Sequence, residues 1–196
     1  MLASRRRAPP SFRRVGAWLG DAEHERELAV RVRATDPDVV HVLGCGGGTS
    51  SRLAWIARSL GSACTLTVEV GDLLCHRGDL VHARGGACAA PDQPPLCAVC
   101  ARSYVTGRPG LSRFASACAW VARGLGDASP FPSALAFRNR RDLLASALQD
   151  ADLVLARDGA ARAAALGLGV GAEWVTLLPP EPDTLVGLWS NLVPRR

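Results

Sequence analysis

Lysine is absent from this 196-residue sequence, and aromatic residues make up only 5% of it. All 23 basic residues are therefore arginine, a bias typical of GC-rich bacterial coding sequences rather than of a particular chemistry. Because large rings are scarce, the core has to be built mainly from Leu, Val and Ala. With 48% hydrophobic residues the chain can bury one sizeable core, so we expect a single domain.

Long apolar runs are also missing from the sequence. No stretch is long enough to cross a bilayer, and the N-terminus lacks the apolar segment of an export signal. We therefore expect a cytoplasmic protein without a transmembrane segment, with a peripheral position at the inner membrane face as the alternative. In that compartment the seven cysteines indicate thiols or a metal site rather than disulfides.

The net charge of +5 is concentrated near the N-terminus. The basic residues there are Arg5, Arg6, Arg7, Arg13 and Arg14, and the rest of the chain is close to neutral. We expect residues 1–19 to form a disordered basic arm, with contact to phosphates or to a membrane surface as the alternative. Because the excess charge is confined to this arm, we expect no nucleic-acid partner.

Hydrophobic periodicity predicts alternating strands and helices. Strands at 38–43 and 64–70 with a helix at 49–60 form a βαβ unit, which implies a right-handed crossover and parallel strands. Further predicted elements are helices at 21–34, 111–125, 133–149 and 160–166 and strands at 152–156 and 174–178. The prediction is an α/β fold with an open, mostly parallel Rossmann-like sheet and flanking helices over residues 20–180. It includes a cysteine-rich loop insertion at 71–110 and is followed by a tail at 181–196.

A glycine-rich stretch, "VLGCGGGTS", places Gly44, Gly46, Gly47 and Gly48 directly after the first strand of that unit. In open α/β sheets ligands bind beyond the carboxyl ends of the strands, and Glu69 lies at the end of the next strand. A glycine loop followed by such an acidic residue resembles S-adenosylmethionine-dependent methyltransferases. Because glycine also merely permits tight turns, a methyltransferase-like enzyme using the Gly44–Gly48 loop stands as one hypothesis among several.

Four cysteines, Cys75, Cys88, Cys97 and Cys100, have 12, 8 and 2 residues between successive members. The final C-x-x-C lets two thiolates reach one ion from a tight turn, and the two others complete the tetrahedral shell of structural zinc. A loop with so few core-forming residues would gain folding energy from such a metal. A redox-active C-x-x-C and four unrelated thiols are the alternatives.

Several further motifs occur in a characteristic order. The chain has "PDVVHVL" at 37–43, "TVEVGDLLCHRG" at 67–78, the C-x-x-C, "ADLVLAR" at 151–157 and "EWVTLLPP" at 173–180. In this order they resemble the amino-terminal, acceptor-side domain of family 4 glycosyltransferases, which are retaining enzymes of the two-Rossmann-domain GT-B fold. The resemblance implies that Gly44–Gly48 and His41 border the interdomain cleft for a sugar or glycolipid acceptor, and that no cofactor sits in the loop.

The activity that we expect follows from the positions at which this sequence differs from the family pattern. Glu69 stands where the family has a histidine near the transferred sugar, and is the candidate catalytic residue, while Arg157 replaces a family serine. The sequence shows no second domain for the nucleotide-sugar donor, so we expect the chain to be inactive alone. It would then need a donor-domain partner chain or self-association, and nucleotide sugar would bind only with that partner. A non-catalytic, zinc-stabilised interaction module remains the third hypothesis.

Overall fold

A computed structural model describes residues 20, 22–45, 50–82, 85–106, 133–179 and 181–192. The predicted basic arm at 1–19 and the predicted helix at 111–125 lie outside these residues. The strands are β1 (Val39–Leu43), β2 (Ala63–Val68), β3 (Leu153–Ala156) and β4 (Val175–Leu177). The α-helices are α1 (Ala22–Thr35), α2 (Leu53–Ser59), α3 (Val70–Leu74), α4 (Pro94–Thr106), α5 (Ala134–Gln149), α6 (Gly159–Gly167) and α7 (Pro182–Leu192). In the described part of the chain, none of the helices has the length and apolar character needed to cross a membrane.

The four strands form one parallel sheet in the order β1-β2-β3-β4. Val42 pairs with Leu66, Leu66 with Val154, and Val154 with Val175, so one row of apolar side chains crosses the sheet. Each connection moves the chain in the same direction across the sheet, and right-handed crossovers then place the connecting helices on one face. The predicted α/β fold with an open parallel sheet is confirmed.

The main core lies between this face of the sheet and three of its helices. Leu144 and Leu148, one turn apart on α5, are 0% and 1% exposed and belong to the same cluster as the apolar row. α2 and α6 contribute mainly alanines, which let these helices approach the sheet closely. Outside this layer, α1 packs on α2 through Leu28 and Val32, whose spacing places both on one helix face.

Three elements differ from the sequence prediction. β2 ends at Val68, and Glu69 is the N-cap of helix α3, which begins at Val70. The predicted loop at 71–110 contains α3 and α4, so the C-x-x-C lies on a helix rather than in a tight turn. The predicted tail contains α7, whose Trp189 ring lies 5.4 Å from that of His41. The contact between Trp189 and His41 joins residues far apart in sequence, which local patterns do not show.

Gly71 is the position in α3 where a side chain has no room. A Cβ placed there would lie 2.0 Å from the carbonyl oxygen of Gly78, which is backbone and cannot turn away. We expect Gly71→Ala to lower the free energy of unfolding by about 1–3 kcal/mol, because the extra carbon forces the two segments apart. Denaturant unfolding followed by circular dichroism measures the change.

Gly187 in α7 provides the matched control, since a Cβ there would meet nothing within 4 Å. Gly187→Ala should leave stability unchanged or raise it by up to about 1 kcal/mol, as expected for alanine replacing glycine in a helix. Equal stability of Gly71→Ala and the natural protein would show that the approach of Gly71 to Gly78 is not a structural requirement.

Candidate functional site

The carboxyl ends of the strands lie along one edge of the sheet, and backbone hydrogen bonds fix the residues that follow β1 and β3. The Gly44 N–H donates to the carbonyl of Thr67 at 2.8 Å, and the Arg157 N–H donates to the carbonyl of Val68 at 3.0 Å. The backbone ladder therefore continues one residue beyond β1 and β3. As a result, the residues that follow three neighbouring strands, Gly44, Glu69 and Arg157, are brought together at this edge.

Glu69, the predicted catalytic residue, forms an ion pair with Arg157 through Oε1 and Nη1. Their side chains are 54% and 65% exposed, so the pair faces solvent rather than the core. Two of the residues predicted to depart from the glycosyltransferase pattern are thus partners in the structure. Sequence reasoning named both residues but did not place them together, because the order of β2 and β3 in the sheet cannot be read from the chain.

Asp72, in the first turn of α3, organises the start of the glycine loop. The backbone N–H groups of Glu69 and Cys45 lie near its carboxylate and favour its charged form. Gly44, with φ of +79°, lies so close that a Cβ there would be 3.3 Å from Asp72 Oδ2. Burial raises the pKa of Asp72 above its usual value, while the N–H donors act in the opposite direction. The beginning of the loop is therefore folded around a carboxylate that belongs to this chain.

Gly46, Gly47 and Gly48 lie outside the described residues, so their predicted role at the acceptor cleft stays a prediction. Just after the loop, the Ser50 hydroxyl donates to Glu25 Oε1 at 2.6 Å, and Arg52 lies 3.5 Å from the same carboxylate. The far end of the glycine loop is therefore tied to helix α1. A carboxylate therefore lies at each end of the loop, Asp72 at one end and Glu25 at the other.

His41, also predicted at the cleft, lies inside β1 rather than at its end. Its Nδ1 is 2.6 Å from the hydroxyl of Thr65, and its Nε2 is 3.1 Å from that of Thr67. Burial lowers the pKa of the imidazole below its usual 6.5, which favours the neutral ring at neutral pH. With both nitrogens hydrogen-bonded and Trp189 against the ring, His41 holds β1, β2 and α7 together.

The four predicted metal ligands line one cavity of about 220 Å³, which we call the thiol pocket. Its cysteines come from three chain segments: Cys75 ends α3, Cys88 follows the bridge at residues 81 and 87, and Cys97 and Cys100 lie on α4. Within the bridge segment the Cys88 N–H donates to the carbonyl of Leu80 at 2.7 Å, and the Asp92 N–H donates to the carbonyl of Leu74 in α3 at 3.0 Å. The structure therefore brings together residues that are up to 25 positions apart in sequence.

In this structure the four thiol side chains do not converge on a single point. Among the described residues, no three His, Cys, Asp or Glu side chains are close enough together to form a metal-binding group. None of the four cysteines forms a disulfide, and burial raises the pKa of the Cys97 thiol to about 11. A metal ion would therefore have to displace the proton of Cys97 in order to bind.

Arg140 on α5 is the residue that sequence reasoning missed. Its guanidinium is buried, with 5% of the residue exposed, and donates to three backbone carbonyls at the end of α3. These belong to Asp72 (2.7 Å), Leu73 (3.4 Å) and Cys75 (3.2 Å). Because a helix leaves its last carbonyls without partners, one planar guanidinium can satisfy several of them at once. Burial lowers the pKa of Arg140 below its usual value.

We expect Arg140→Met to lower the free energy of unfolding by about 2–4 kcal/mol, since buried carbonyls would lose their donors. Arg140→Lys should restore only part of the loss, because an ammonium group cannot reproduce the planar fork. The exposed Arg138 on the same helix is the matched control, and Arg138→Met should change stability little. Urea unfolding of the three variants measures this, and equal stability of Arg140→Met and Arg138→Met would contradict the assignment.

Comparison of the chain with protein-family models, with curated proteins and with solved structures gives no match. The arrangement at the strand ends is therefore interpreted from its own geometry.

Proposed function

We propose that this chain is the acceptor-side domain of a retaining, nucleotide-sugar-dependent glycosyltransferase. The observation that supports this most directly is the exposed Glu69–Arg157 ion pair at the ends of two neighbouring parallel strands. Sugar hydroxyls both donate and accept hydrogen bonds, so a carboxylate beside a guanidinium can hold two of them together. On this proposal the acceptor, a sugar or a glycolipid, lies along the carboxyl edge of the sheet.

The order of the strands favours this function over the methyltransferase alternative. Nucleotide-type cofactors in doubly wound sheets bind at the switch point where the strand order reverses. In the described sheet, β1 lies at an edge and the order runs from β1 to β4 without a reversal. The strand that precedes the glycine loop therefore does not border such a switch point within the part of the chain that the structure describes.

The charges around the glycine loop also favour the acceptor-side domain over the methyltransferase alternative. A loop that cradles phosphates offers its free backbone N–H groups to the anion. Here the Asp72 carboxylate lies near the Cys45 N–H and against Gly44. A second negative group next to this carboxylate would be repelled. An uncharged acceptor suits this edge better than a nucleotide does.

The donor side of the reaction belongs, on this proposal, to a separate donor-binding domain or partner chain. A departing nucleoside diphosphate needs cations or helix N-termini where negative charge develops. At the described strand ends Arg157 is already paired with Glu69, and Asp72 adds a further carboxylate. We place the protein in the cytoplasm or at the inner face of a membrane, where nucleotide sugars and glycolipid acceptors meet.

Substitutions at the ion pair test acceptor binding. An array of mono- and oligosaccharides should show selective binding by the natural protein. Glu69→Gln and Arg157→Gln should each weaken that binding by about tenfold or more, because each removes a charged hydrogen-bonding partner. The melting temperature should change little, since exposed ion pairs contribute less than about 1 kcal/mol.

The exposed ion pair of Glu27 and Arg31 on α1, with a distance of 2.7 Å, supplies the matched control. Glu27→Gln removes a comparable surface charge far along the chain from the strand ends and should leave saccharide binding unchanged. Binding that is insensitive to both Glu69→Gln and Arg157→Gln would refute the assignment of the acceptor to this edge.

The chain by itself should release no nucleoside diphosphate from a panel of nucleotide sugars, because it presents carboxylates where the leaving group requires cations. Protein-dependent release that falls in Glu69→Ala would instead identify a complete enzyme. Thermal unfolding with S-adenosylhomocysteine separates the alternatives, since a ligand protects only a protein that binds it. Protection that grows with ligand concentration would favour the methyltransferase.

A further inference from the structure

The four cysteines of the thiol pocket have no role in the proposed glycosyl transfer. Four cysteine side chains face one cavity of about 220 Å³, and most of its other lining residues are apolar. Thiols placed together in this way are soft ligands, and four of them match the shell of a tetrahedral structural metal ion. We propose that the thiol pocket is a structural zinc site with Cys75, Cys88, Cys97 and Cys100 as its ligands.

The helical position of the C-x-x-C supports this ligand set. Cys97 and Cys100 are three residues apart on α4, and residues at this spacing lie on the same helix face, with Cβ atoms about 5–6 Å apart. Two sulfurs at this separation can both reach one ion at about 2.3 Å. Cys75 and Cys88 approach the same cavity from the end of α3 and from the bridge segment, so the four sulfurs can surround the ion.

The thiols are too far apart in this structure to bind one ion, so zinc binding requires their side chains to move. No group of three described ligand side chains is close enough to hold an ion, but the cavity leaves space for the sulfurs to turn inward. Binding of zinc therefore requires the four sulfurs to turn toward one point in the cavity.

The chemistry is balanced without any change of oxidation state. Zinc binds four thiolates, and each thiol releases its proton to solvent. The resulting centre carries a net negative charge, which is costly to bury without a neighbouring cation. Arg140 supplies this cation, since its buried guanidinium already contacts the carbonyl of the ligand residue Cys75 at 3.2 Å. A charged neighbour that holds the backbone of a ligand is the usual outer support of a metal site.

Metal analysis of the purified full-length chain tests the proposal. We expect about one zinc per chain. Cys97→Ser and Cys100→Ser should lose the metal, whereas Cys64→Ala, at a buried cysteine of β2, should retain it. Removal of zinc by a chelator should lower the melting temperature and increase proteolysis between residues 75 and 97, and added zinc should reverse both changes.

Cobalt titration of the natural protein keeps the test independent of how well the variants fold. Cobalt(II) should produce the visible absorption of a tetrahedral site and an ultraviolet thiolate-to-cobalt band, and zinc should displace it. A protein that binds neither metal and whose melting temperature does not respond to zinc would overturn the proposal. Loss of zinc from Cys64→Ala together with retention in Cys97→Ser would overturn the ligand assignment. None of these measurements involves sugar binding, so failure here leaves the proposed acceptor edge untouched.

Discussion

The parallel pairing of β2 with β3 is the constraint on which the rest of the described structure depends. Parallel neighbours cannot be joined by a tight turn, so residues 69–152 must carry the chain back to the opposite end of the sheet. This crossover begins at Glu69 and ends with α5, which packs on the sheet through Leu144 and Leu148. The candidate binding edge, the thiol pocket and Arg140 all belong to the crossover or border it, which explains why they lie next to one another.

Asp72 lies between the strand-end edge and the thiol pocket. Its carboxylate lies near the backbone N–H groups of Glu69 and Cys45 at the strand ends, while its carbonyl accepts from Arg140 at 2.7 Å. Arg140 in turn contacts the carbonyl of Cys75 at the edge of the thiol pocket. A buried guanidinium is costly to desolvate, and the carbonyls at the end of α3 offset this cost through hydrogen bonds. The geometry of the strand-end edge therefore depends on an anchor that the thiol pocket shares.

At the candidate site, sequence patterns identify the residues of the ion pair but not the contact between them. Glu69 and Arg157 were each identified as departures from a family pattern, and each was interpreted alone. The register of β2 and β3 pairs Val68 with Ala156, which makes the next two residues neighbours. In their ion pair the carboxylate of Glu69 and the guanidinium of Arg157 compensate each other's charge. The sequence contains both residues but not the strand order that joins them.

The sequence by itself determined the α/β class, the four strands and most of the helices, because these follow from local periodicity and from the right-handed rule for parallel crossovers. Even the boundaries of α1 and α5 agree with the prediction to within one residue. Only the tertiary structure decided that β2 stops at Val68, that the C-x-x-C lies on a helix, and that Arg140 is buried. An arginine within a helix has the pattern of a solvent-exposed charge until another segment presents carbonyls that need donors. Such partners come from segments distant in sequence, and only the packed chain brings them together.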